Sequence, residues 1–76
     1  MSKRILIDPK ICHGKPVIKG TRVLVRNILG SLASGETIEE ILDDYPNITK
    51  EDVFAALDFG CELSDFESHS YEVKAS

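Results

Sequence analysis

The chain has no tryptophan, one methionine, three prolines and, among 76 residues, only five phenylalanines and tyrosines together. It has two cysteines, Cys12 and Cys61. Two are too few for a disulfide framework, so both thiols are expected to be reduced and the protein cytoplasmic. No apolar run approaches the roughly 20 residues of a membrane span. The opening "MSKRILIDPK" is basic, but its apolar run ends after three residues, too short for a secretory signal. Length excludes more. A chain of this size buries only about 60% of the surface its unfolded form exposes. That leaves little room for a large catalytic cleft, and such chains commonly draw stability from a partner, a metal or disulfides.

Cations are scarce after residue 26. The net charge of −4 hides two unlike halves. Residues 1–26 carry Lys3, Arg4, Lys10, Lys15, Lys19, Arg22 and Arg26 against Asp8 alone. Residues 27–76 carry Lys50 and Lys74 against twelve carboxylates. A basic arm suits an anionic partner and an acidic body a basic one. Alternatively, the halves attract each other, within a chain or across a dimer.

What is present reads as a β-arm followed by three short helices. "RILI" at 4–7 is strand-like and Asp8-Pro9 a turn. "PVI" at 16–18 is a second extended piece, begun by Pro16 or placed at an edge. Val25, Ile28, Leu29 and Leu32 then fall on one helical face, and Gly35 suits a left-handed C-cap. Thr37 and Glu40 form a capping box. Ile38, Ile41, Leu42 and Tyr45 repeat the apolar spacing, and Pro46 ends the helix. Thr49 caps a third helix with Asp52 in its first turn, and Ile48 with Val53 completes a hydrophobic staple. The predicted helices span 24–34, 38–45 and 50–63, with Leu29, Leu32, Ile41, Leu42, Val53 and Leu57 as core. The stripe of the third is expected to be Val53, Ala56, Leu57, Gly60 and Cys61. The second and third form a helix-turn-helix in size and linker. The fold class is mainly α, one domain over 1–63 with its arm at 1–22, followed by a polar tail at 64–76.

The segment "ICHGKPVIKGTRVLV" at 11–25 invites a catalytic reading. A phosphate loop needs G-x-x-x-x-G-K-[ST]. Gly14 and Gly20 are separated by five residues, and Thr21 follows with no lysine between, so the spacing fails. Cys12 and His13 are neighbours and in an extended chain point to opposite faces, which separates thiol from base. Cys12, His13, Cys61 and His69 contain no pair at zinc-site spacing. Glu39, Glu40, Asp43 and Asp44 lie opposite the apolar face of the second helix, as a solvated face or as a surface for a basic partner. No catalytic or metal site and no cofactor is expected. The segment is read as a hairpin with glycine turns and a basic outer face, Thr21 or a neighbouring backbone group helping to cap the first helix.

The motifs "IDPKICHGKPVIKGTRVLV" and "ILGSLASGETIEEILDDYPNITKEDVFAAL", covering about Ile5 to Leu63, resemble a small prokaryotic family. It was catalogued as domain of unknown function four-three-three and is often described as VapB-type antitoxin-like. The resemblance implies a homeodomain-like three-helix fold with a β extension, often dimeric, and a neighbouring toxin of the PIN-like ribonuclease class. Two positions depart from the pattern: His13 stands where glycine is common, and Leu24 where proline is usual.

The expected function is thus a non-enzymatic antitoxin that binds a PIN-like toxin and regulates its own operon. The alternative is a stand-alone DNA-binding regulator. Nucleic acid would meet Lys3, Arg4, Lys15, Lys19, Arg22 and Arg26, because the third helix is acidic and phosphate would repel it. Phe66, Tyr71 and Val73 are the expected toxin anchors in the tail, which would order on its partner. A homodimer is expected, through the extended pieces or through Ala56 and Gly60 of the third helix.

Overall fold

The computed structural model describes residues 2–65; the expected anchors Phe66, Tyr71 and Val73 lie outside the described residues. Two strands, β1 (Ile5–Leu6) and β2 (Val17–Ile18), precede three helices, α1 (Val25–Ala33), α2 (Ile38–Asp44) and α3 (Lys50–Ser64). The fold is mainly helical, as the periodicity predicts, and each helix begins and ends within a residue or so of its expected bounds.

β1 and β2 pair antiparallel, Ile5 against Ile18 and Leu6 against Val17. β2 is not an edge. On its other side Val17 faces Leu24, flanked by bonds from Ile18 N–H to the Val23 carbonyl and from Val25 N–H to the Pro16 carbonyl, both 3.0 Å. Pro16 thus gives the ladder its acceptor and sits where no donor is needed. Thr21 does not cap α1. Its hydroxyl donates to the Ile18 carbonyl at 2.7 Å and accepts from Val23 N–H at 3.0 Å, closing the turn before the helix. The N-cap of α1 is Leu24, with φ −74° and no side-chain bond. That φ is within proline's range, so the backbone here would accept proline.

Residues 12–14 are not extended. Cys12, His13 and Gly14 have φ of 50°, 57° and 79°, a left-handed turn closed by Gly14 N–H to the Ile11 carbonyl and Lys15 N–H to the Cys12 carbonyl. Left-handed backbone costs an L-residue roughly 1–2 kcal/mol, and glycine almost nothing. His13 therefore occupies a position with a physical reason to be glycine. His13→Gly is expected to stabilise the fold by about 1 kcal/mol, raising Tm by about 4–8 °C in a domain of this size. Thermal unfolding followed by circular dichroism measures it.

The core lies between the strands and the three helices. Ile5, Ile18 and Val23 form its roof, Val25 and Ile28 come from α1, Ile41 from α2, Ile48 from the α2–α3 link, and Val53, Ala55 and Ala56 from α3. Of the expected core, Ile41 and Val53 are fully buried, and Leu29, Leu32 and Leu42 pack partly buried against them. Leu57 is a correction: it is 42% exposed. Cys61 is exposed too. The buried face of α3 is Asp52, Val53, Ala55 and Ala56, with Phe59 packed at its margin. α3 is apolar almost all round between Val53 and Phe59, so periodicity alone cannot choose its inner face. Ala56 is fully buried, and a Cβ on Gly60 would stand 3.3 Å from a Leu29 methyl. Gly60 thus faces α1 and Ala56 lies in the core, both within the chain.

Both capping boxes are present. Thr37 Oγ1 accepts from Glu40 N–H at 3.1 Å, and Glu40 Oε1 accepts from Thr37 N–H at 2.8 Å. The backbone bond from Thr37, followed by its hydroxyl, holds the Glu40 carboxyl below its ordinary value. A depressed carboxylate pKa adds stability that is present above the unfolded value and is lost as pH falls through the folded one. Tm of Glu40→Gln is therefore expected to fall less steeply than that of the parent as pH drops below 4.5, read from melts at a series of acid pH values.

Candidate interaction surfaces

The arm and the helices are joined by one charged contact. Asp52 completes the box that opens α3: its Oδ2 accepts from Thr49 N–H at 2.9 Å, and its backbone N–H donates to Thr49 Oγ1 at 3.2 Å. Its other oxygen, Oδ1, accepts from Arg4 Nη1 at 3.1 Å. Asp52 is buried, 8% exposed, and the Arg4 side chain is half exposed. Attraction between the basic and acidic halves thus operates within the chain at this point. Arg4 and Asp52 lie 48 residues apart, and no local pattern signals such a pair.

The six cations proposed for nucleic acid fall into three places. Arg4 and Lys19 are neighbours across the ladder, Lys19 N–H donating to the Arg4 carbonyl at 2.7 Å, with Lys3 beside them in the chain. Arg22 borders a shallow depression with Leu6, Ile11, Gly20 and Thr21. Lys15 and Arg26 flank an apolar groove floored by Val25, Leu29, Phe59 and Leu63. Lys15 and Lys19 stand at opposite ends of β2.

The helices present a different surface. Glu39, Asp43 and Asp44 are exposed along α2. On α3, Phe54 and Leu57 are 49% and 42% exposed, in line with exposed Cys61 at spacings of three and four. Lys50 Nζ lies 5.8 Å above the Phe54 ring, within cation–π range. Glu51 and Asp58 are exposed beside this stripe. The signal for it was in the sequence, as a second apolar stripe on α3, but only one stripe can face a core this small.

Among the described residues neither thiol is hydrogen-bonded to a histidine. The Cys12 thiol points to the Arg22 carbonyl at 3.9 Å, and the His13 side chain is exposed. Among the described residues no group of three or more histidine, cysteine or carboxylate side chains is placed to hold a metal, and no helix is long and apolar enough to cross a membrane.

Comparison with known proteins places these features. Residues 5–60 match the model of a family described as "Protein of unknown function (DUF433)". The "Putative antitoxin VapB45" of Mycobacterium tuberculosis is 37% identical over 54 residues, which is 71% of this chain and 22% of that protein. The uncharacterized protein y4eO of Sinorhizobium fredii is 38% identical over 46 residues, 60% of this chain and 21% of its own. The chain thus spans about a fifth of the length of these curated relatives. A crystal structure of a DUF433 member from Anabaena variabilis superposes with a TM-score of 0.76 at 31% identity, covering 82% of this chain and 61% of that one. The matched segment contains both strands, both capping boxes and the Arg22–Leu24 turn into α1, and on that ground the chain belongs to the DUF433 family.

Proposed function

We propose that the chain is a non-enzymatic binding module of the antitoxin type, whose partner is a ribonuclease toxin of the PIN-like class. The observation that carries this reading is the exposed acidic surface of α2 and α3, with Glu39, Asp43 and Asp44 on one helix and Glu51 and Asp58 on the other. A ribonuclease must accept phosphate, so its site tends to be bordered by cations, which such a surface complements. The kinship with a relative named as an antitoxin supports the same reading. Phe66, Tyr71 and Val73 are proposed as further anchors, and a homodimer formed through the β-arm as the binding unit. The test is a pull-down with the full chain as bait in cells, followed by mass spectrometry. Recovery of a PIN-like ribonuclease, reduced when residues 66–76 are removed, is expected. Recovery of nucleic acid alone would overturn the reading.

Operator binding is the second role, favoured by the side-by-side placement of Arg4 and Lys19. If it operates, it uses the arm. α3 offers DNA only Lys50 among Glu51, Asp58 and apolar side chains. Lys19→Ala with Arg22→Ala is expected to weaken DNA binding and to lower the slope of log affinity against log salt by about 0.9 per lost phosphate contact. Lys50→Ala is expected to leave both unchanged, and a loss confined to that variant would return α3 to the role of reader.

A further inference from the structure

We infer that the outward face of α3 is a protein-docking surface, and that its occupant is an apolar surface of the partner rimmed by lysine or arginine. This deepens the antitoxin reading and rests on it for the partner's being a protein. α3 buries Val53 and Ala56 completely, and its opposite side would be expected to be polar. Instead that side carries Phe54 and Leu57, about half exposed, with Cys61 one turn further on. Phe54, Leu57 and Cys61 follow the i, i+3, i+7 spacing of a helix that lays one face into a groove.

Charge selects the occupant. Exposed Glu51 and Asp58 run along the same helix beside the stripe. DNA is repelled by these carboxylates and gains nothing from the apolar stripe. A second copy would bring an acidic margin towards an acidic margin. A groove with an apolar floor and basic rim satisfies both features, and the rim charge speeds encounter as well as orienting it. Lys50 does not reverse this balance, because it sets one cation against the two carboxylates of Glu51 and Asp58; its ammonium lies 5.8 Å from the Phe54 ring. It covers the end of the stripe nearest the α2–α3 link.

The probe is a short amphipathic helical peptide of leucine and lysine, with a leucine and glutamate peptide as control, titrated into the full chain by fluorescence anisotropy. The lysine peptide is expected to bind and the control not to. Phe54→Ser with Leu57→Ser should weaken binding by about tenfold or more. Glu51→Gln with Asp58→Gln should weaken it less and flatten its salt dependence. Glu39→Gln, Asp43→Gln and Asp44→Gln together, on α2, should change it by less than about twofold. All these side chains are exposed, and unchanged circular dichroism checks that each variant folds. A loss carried by the α2 variant, or an unaffected Phe54→Ser/Leu57→Ser variant, would overturn the assignment. So would a dimer in sedimentation that the α3 variant dissociates, since the occupant would then be a second copy. If the lysine peptide behaves as expected but no ribonuclease is recovered from cells, the antitoxin reading fails and the docking face stands. If a ribonuclease is recovered and its capture survives Phe54→Ser/Leu57→Ser, the docking face fails alone.

Discussion

Ile41→Ala is expected to leave the chain largely unfolded at 37 °C. Ile41 is fully buried and sits in the two-turn helix α2, which packs against both α1 and α3. Truncating a buried isoleucine to alanine costs roughly 2–5 kcal/mol, because the lost transfer energy is joined by the cavity left behind. A single core below 80 residues seldom supplies more than about 3–5 kcal/mol in total. The substitution therefore removes most or all of the margin. Leu57→Ala is the control. Leu57 is 42% exposed, and surface substitutions of this kind usually stay within about 0.5 kcal/mol. Urea unfolding of both variants beside the parent decides the rotation of α3. Equal losses at the two positions would mean that Leu57, not Ala56, faces inward.

Asp52→Ala is expected to be the most damaging substitution of a polar residue among those described. One side chain holds two donors from distant parts of the chain, Thr49 N–H and the Arg4 guanidinium. Loss of a helix-capping bond costs about 1 kcal/mol. The bond to Arg4 is charge-assisted, but half of the Arg4 side chain is solvated, so about 1 kcal/mol is a fair discount from the buried-pair range. The sum is about 2 kcal/mol, again a large share of the whole. Asp52→Asn keeps an acceptor without the charge and should fall between. A double-mutant cycle with Arg4→Ala isolates the pair, with an expected coupling of about 0.5–1.5 kcal/mol. Coupling near zero would show that the arm is held by Ile5 and Ile18 alone.

What could be read in advance was what is local. The capping box at Thr37 and the cap at Thr49 each need only a few consecutive residues, and both helices start where those residues place them; that Asp52 closes a second box at Thr49 is seen only in the structure. Val25 and Ile28, or Ile38 and Ile41, state their face within a turn or two. The roof of the core could not be read this way, because Ile5, Ile18 and Val23 are buried only by helices that follow later in the chain. The rotation of α3 was hidden by its abundance of apolar side chains. The left-handed turn was hidden because it begins at Cys12 and His13 rather than at glycine, and positive φ is uncommon for any residue with a Cβ. The arrangement of the candidate binding residues was the least legible: the sequence displays seven cations in its first 26 residues but not that Arg4 is paired with Asp52 while Lys15 and Arg26 flank a groove.

The Arg4–Asp52 contact also bears on synthesis at the ribosome. The two residues are 48 positions apart, and translation proceeds at about 5–20 residues per second, so Arg4 waits roughly 2–10 s for its carboxylate. During that interval Ile5 and Ile18 have each other across the ladder but no α3 beneath them, and a two-stranded pair alone is marginal in water. The hairpin is thus made well before the carboxylate that secures it. An early arrest of translation before Asp52 would release a basic, apolar arm with nothing to fold against, a form suited to recognition by chaperones and proteases.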